Sequence, residues 1–140
     1  MRQKCVAVVD ETLPIGLQAN IIGVMSLSVG RDQPHVVGET AVDADGESYT
    51  GITRVPMPVL MASTEQIGRI AAAARAETLY HACFTDAALA TKTYDAYTRQ
   101  LAETPTGSVV HHGLVLLAGE KAVKRLTSGL PLLKSTDTAQ

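Results

Sequence analysis

Lys4-Cys5-Val6-Ala7-Val8-Val9-Asp10-Glu11-Thr12-Leu13-Pro14-Ile15-Gly16-Leu17-Gln18-Ala19-Asn20 decides how the rest of the chain is read. Lys4 to Val9 is valine-rich and apolar without alternation, the pattern of a strand covered on both faces. Pro14 fits the first turn of a helix, where its missing N–H costs nothing. Beyond it Leu17, Ile21, Val24 and Ser28 form one row at helical spacing, and Gln18, Ile22, Met25 and Val29 form the next. That helix is apolar nearly all round, so it is expected to lie between a sheet and a second covering element, with Gly30 to Pro34 ending it. Polar side chains gather at the switch from strand to helix, the place where open α/β sheets bind ligands. The segment offers acids and amides there, with no phosphate-cradling glycine pattern.

Outward from this unit the order of elements continues the α/β theme. Val36 to Val42 and Ser48 to Thr53 read as two strands joined by the turn Asp43-Ala44-Asp45-Gly46-Glu47. Asp-x-Asp-Gly also opens calcium loops, but the later ligands and the closing glutamate are missing, which leaves the turn. Val59 to Ala62 is a short strand, and Ser63-Thr64-Glu65-Gln66 is a capping box that starts a helix over Thr64 to Ala76. Leu79 to Thr85 is the next strand, and the strand, helix, strand order implies a right-handed parallel crossover. A surface helix over Lys92 to Glu103, a strand over Val109 to Ala118, and a short helix over Glu120 to Thr127 complete the set. Ser128-Gly129 caps that helix, Leu130-Pro131-Leu132-Leu133 docks on the core, and Ser135 to Gln140 frays. The pattern predicts one domain over residues 1–134, a three-layer α/β/α architecture with a mixed central sheet and an extra β-hairpin.

Composition narrows the function classes. The chain has 140 residues, 46% hydrophobic and 19% charged, the balance of a folded globular domain with an aliphatic core. A net charge of −2 gives no general attraction to nucleic acid, so a nucleic-acid partner is not expected. Cys5 and Cys83 lie in apolar strand-like runs and read as reduced, buried thiols of a cytoplasmic protein. The apolar run after Arg2 and Lys4 is too short for a secretory segment. Ile15 to Gly30 is interrupted by Gln18, Asn20, Ser26 and Ser28 and falls short of the roughly 20 apolar residues of a membrane span. No membrane partner is therefore expected.

Candidate site residues cluster at strand ends. Asp10 and Glu11 either cap the first helix or face a ligand; Gln18 and Asn20 either bind a ligand's polar atoms or satisfy loop backbone. Asp86 closes a strand, as a site carboxylate or as the cap of the next helix, and Lys92 follows it on the surface. His111 and His112 are neighbours on a strand, and strict alternation would point them to opposite faces, away from a shared ion. With His35 and His81 remote, no metal site and no cofactor are expected. His81 and Cys83 share a strand face, the arrangement of a Cys/His nucleophile pair or of an inert buried thiol. Neither a Gly-x-Ser-x-Gly elbow nor a P-loop nor a dinucleotide fingerprint is present.

The stretches Lys4 to Gly16, Val59 to Thr85 and Thr106 to Leu133, with its Thr-Ser-Gly-Leu-x-Leu-Leu ending, together resemble the type II peptidyl-tRNA hydrolase fold over about two thirds of the chain. The match is closer still to an uncharacterised group of small bacterial proteins that share that fold and carry the extra hairpin, here Val36 to Thr53. Those hydrolases place a lysine just inside the first helix, where this chain has Leu17, Gln18 and Ala19. Their second strand ends in Asp-Ala-Gly-Arg-Thr; Asp86 and Ala87 match, but Ala88-Leu89-Ala90 do not. The resemblance therefore implies the scaffold and carries over Asp86 alone as a catalytic candidate. The expected role is a cytoplasmic binding or regulatory module for an unknown small molecule. Its pocket is expected to be bounded by Asp10, Gln18, Asn20 and Asp86 with Lys92 nearby, and the protein to be a homodimer. The rival reading is a hydrolase of an ester or amide bond, in which Asp86 orients water; a true peptidyl-tRNA hydrolase comes third, for want of the lysine.

Overall fold

The first strand, β1 (Gln3–Asp10), is buried from Cys5 onward and sits inside a four-stranded sheet, as its unbroken apolarity requires. The computed structural model describes residues 2–134. The chain continues through α1 (Ile15–Asp32), a two-residue-stranded hairpin β2 (Ala41–Val42) and β3 (Ser48–Tyr49), then β4 (Val59–Ala62) and α2 (Thr64–Ala76). It then forms β5 (Tyr80–Thr85), α3 (Asp86–Ala90), α4 (Tyr94–Ala102), β6 (His111–Gly119) and α5 (Glu120–Leu126). Sheet order is β4-β1-β6-β5. β4 pairs parallel to β1, and β6 pairs antiparallel to both β1 and β5. Three strands thus end at the edge of the sheet where β6 begins, and the α2 crossover joins two strands of the same direction.

Alternation along β1 sorts the core into two layers. Val6 and Val8, with Leu114 and Leu116 of β6, pack under Ile67, Ile70, Ala71 and Ala74 of α2 and Val123 of α5. Cys5, Ala7 and Val9, with Val115 and Leu117, pack under Ile21, Met25 and Val29 of α1. The result is the expected α/β/α sandwich, with burial of each such Leu, Ile, Val or Met side chain contributing about 1.5–3 kcal/mol. Cys5 lies in the α1 layer and Cys83 in the α2 layer, so the sheet separates the two free thiols. Only Cys5 is fully buried; Cys83 is half-buried at the sheet edge.

Several expectations need correction. α1 runs to Asp32 and ends at Gln33 and Pro34, within the expected stretch Gly30 to Pro34. But among the described residues no second element covers its outer face: Gln18, Ile21, Met25 and Val29 face the sheet, Leu27 opposite them is 79% exposed, and Ile15 and Val24 on the two flanks are 65% and 42% exposed. Pro14 is the cap residue itself, and α1 has neither a side-chain cap nor an acid in its first turn. The helix near Lys92 begins at Tyr94, after a separate short helix that the sequence pattern does not separate from it.

Other features follow the sequence closely. The Ser63 hydroxyl accepts from Gln66 N–H at 3.1 Å, and the Gln66 side chain accepts from Ser63 N–H at 2.9 Å, completing the capping box. In the hairpin turn the Asp43 carboxylate accepts from the N–H groups of Asp45 and Glu47 and from the Tyr49 hydroxyl, with Gly46 at φ 90°. Its oxygens are engaged by the turn itself. Below it the two arms approach so closely that a Cβ on Gly51 would lie 1.8 Å from the Gly38 carbonyl oxygen. The tail docks as the sequence suggests: Met61 N–H donates to Pro131 O at 3.0 Å and Leu133 N–H to Val59 O at 2.8 Å, covering the free edge of β4. The expected frayed tail, residues 135–140, lies outside the described residues.

Candidate functional site at the carboxyl end of the sheet

Asp10 ends β1 with its side chain 2% exposed, and three donors converge on it. Thr12 N–H and the Thr12 hydroxyl donate to Oδ1 at 2.9 and 2.8 Å. His112 Nδ1 lies 2.9 Å from Oδ2. Burial alone would raise the Asp10 pKa, but the Thr12 N–H, His112 and the Thr12 hydroxyl outweigh it and hold the carboxyl below its ordinary value. An ionised carboxylate can only accept, so Nδ1 carries a proton and Nε2 is the ring nitrogen left to meet a ligand. Among the described residues Nε2 has no hydrogen-bond partner, and the imidazole is 15% exposed. Gln18 supports the arrangement from α1: its amide donates to the Asp10 carbonyl at 2.9 Å while the residue is 4% exposed.

His112 meets Asp10 by ordinary alternation from Leu114 in the β1–β6 register, and an irregularity on the β5 side of β6 sets where His111 goes. Phe84 pairs with Gly113 and Thr85 with His111, so His112 is an extra residue, a β-bulge. His111 lies against α2, where a Cβ on Gly68 would stand 3.8 Å from its Nδ1. His112 meets Asp10, which lies two residues past Val8 on that same α2 face. The expectation that neighbouring histidines diverge is therefore overturned: the bulge turns His111 to the α2 face that His112 already occupies. On the other face Gly113 makes room for α1, since a Cβ there would fall 2.6 Å from Ile21 Cγ2.

The remaining candidates are placed apart from this pair. Gln18 and Asn20 are two positions apart on a helix, a rotation of about 200°, so Gln18 faces the sheet and Asn20 is exposed on the outer side of α1. Glu11 is exposed. Asp86 is the first residue of α3, yet its carboxylate reaches across to β6: Oδ1 accepts from Val110 N–H at 3.2 Å, and Asp86 N–H donates to Val110 O at 3.0 Å. It thereby fixes the entry of β6 just before the histidines. Lys92 is exposed at the mouth of a different cleft of about 340 Å³, between Val24 and Ser28 of α1 and Tyr94 of α4. Among the described residues no three His, Cys, Asp or Glu side chains gather as a metal site. The Cys83 thiol is pushed up to about 11 by burial, so it stays protonated and is a poor nucleophile at neutral pH.

Sequence reasoning missed His112. Its only signal was an acid at the end of one buried strand and a histidine at the start of another, and nothing in the linear pattern pairs those strands.

The mixed sheet with a core layer on each face and a strand-end acid/imidazole pair define a small α/β protein with a candidate site at the carboxyl edge of its sheet. Residues 3–134 match the model of DUF2000, a family of proteins of unknown function, and the chain belongs to that family. The fold is similar to that of a solved protein of unknown function from Agrobacterium tumefaciens strain C58. The TM-score is 0.88 and the identity 17%, over 96% of this chain and 99% of that one. No curated protein sequence matches the chain. Among the described residues no helix is long and apolar enough to cross a membrane.

Proposed function

We propose that the protein is a cytoplasmic ligand-binding module, on a scaffold similar to that of type II peptidyl-tRNA hydrolases, that holds a small molecule at the carboxyl end of β1. The Asp10–His112 pair carries this reading. A buried carboxylate fixes the imidazole's tautomer and orientation, leaving Nε2 as a preset hydrogen-bonding atom at the position where α/β sheets take ligands. Gln18 and Thr12 serve as supports, holding the Asp10 carbonyl and carboxylate. The test is a thermal-shift screen over nucleotides and metabolites, repeated on His112→Asn. A stabilising compound whose effect vanishes in the variant supports the reading. Absence of any compound whose stabilisation depends on His112 would sink it.

A second reading has its own support in the same pair. A neutral imidazole with a carboxylate on Nδ1 is the arrangement of a general base, able to take a proton from water attacking an ester or amide carbonyl. Asp86, bonded to Val110 and apart from the pair, serves this reading by fixing the entry of β6 just before His112. Hydrolysis of p-nitrophenyl acetate faster than by an equal concentration of free imidazole, lost in His112→Asn, would move the protein from binding module to hydrolase.

A further inference from the structure

β5 is an edge strand, and its alternate side chains His81, Cys83 and Thr85 lie on the α2 face. Over them, between α2 and α4, opens a cleft of about 430 Å³ whose lining includes Arg75, His81, Thr85, Tyr97 and His111. That volume falls in the usual range of small-molecule sites, about 300–1,000 Å³. Its polar groups are largely without protein partners. The Thr85 hydroxyl is sealed from solvent on a residue 5% exposed and is the buried side-chain oxygen left with no hydrogen bond among the described residues. Leaving such a group unpaired costs about 1–3 kcal/mol, so an orphan in a native core calls for an explanation. Beside it, His111 is 8% exposed, and neither of its ring nitrogens nor the Arg75 guanidinium is bonded to another described residue. His81 has Nδ1 turned to the Leu79 carbonyl at 2.9 Å, which leaves Nε2 for the cleft.

We propose that this cleft binds a small organic monocarboxylate, its carboxylate on Arg75 with Thr85 and His111 and its body against the apolar walls. Arg75 is the one permanently charged side chain of the lining, which suits a single negative charge. Burial first of all, then Arg75, depresses the His111 pKa, so that ring is neutral at pH 7 and contributes a hydrogen bond in place of a charge. Leu101 and Val109 supply the apolar wall that inorganic phosphate would not use. This site lies one residue along β6 from His112 but does not depend on it, and His112→Asn should leave it intact.

Isothermal titration of the whole protein with benzoate, with the neutral isostere benzamide, and with inorganic phosphate tests the assignment. Saturable benzoate binding is expected, with benzamide and phosphate at least about tenfold weaker. Thr85→Val, which removes the orphan hydroxyl at constant shape, and Arg75→Gln, at an exposed position, should each weaken benzoate by about tenfold while the protein stays folded by circular dichroism. Absent benzoate binding, equal benzamide binding, tighter phosphate binding, or benzoate affinity unchanged in both variants would overturn it.

Discussion

A carboxylate as deeply buried as Asp10 loses several kcal/mol of hydration, a cost met only when charge-assisted hydrogen bonds replace the water. Thr12 and His112 supply those bonds, which ties the stability of the site to its ionisation. Because the folded pKa of Asp10 is lowered, the unfolded chain takes up this proton first as the pH falls. The contribution of Asp10 is therefore complete above about pH 5 and is lost as the pH drops through the depressed folded value. Asp10→Asn should cost about 1.5–3 kcal/mol at neutral pH and flatten the acid limb of stability against pH. Urea titrations at stepped pH check this, and an acid limb of unchanged steepness would show that His112 and Thr12 do not hold the charge. Gly113 gives a second prediction at this scale. A methyl group at Gly113→Ala would meet Ile21, which is fully buried, and should destabilise by about 1–3 kcal/mol through overpacking. The urea midpoint reports it.

Among the elements, those with local signals were readable. The α2 start was written in Ser63 and Gln66, and both bonds form. Ser63→Ala should lower stability by about 1 kcal/mol without altering the fold, measured by thermal unfolding; a larger loss would mean that Ser63 also serves the neighbouring site. β1 was legible because burial on both faces leaves an unbroken apolar run. What the pattern did not give was non-local. The bulge that places His111 and His112 on one face arises from pairing with Phe84 and Thr85, some 26 residues away along the chain. Alternation, the rule that worked for Val6 to Val9, fails there. Asp86 likewise read as a cap for the helix it begins, but its partner is Val110, fixed only by tertiary structure. The polar candidates near α1 divided for a geometric reason: Gln18 turns inward to Asp10, and Asn20 turns out.

At the scale of the molecule, the two long faces are unequally covered. α2 shares its side of the sheet with α5, and the tail covers the β4 edge. α1, about 27 Å long, is the long helix on the other side, with Leu27 exposed on its outer face and Ile15 and Val24 exposed on opposite flanks. Leu27 stands on the outer face with Ile15 and Val24 to either side, and we propose that this face is an association surface. We propose that a second copy, in place of a second layer of the same chain, accounts for the near-continuous apolarity of the α1 sequence. We expect a homodimer joined through α1, with exposed Asn20 near the centre of the contact and the His112 site left open on the opposite side of the sheet. Sedimentation velocity should give a dimer for the native protein and a monomer for Leu27→Glu. Ile52→Glu, an equally exposed change on the hairpin arm, should remain dimeric. A native monomer would remove the dimer altogether. A dimer that survives Leu27→Glu but not Ile52→Glu would move the interface to the hairpin and leave the outer face of α1 free for another partner.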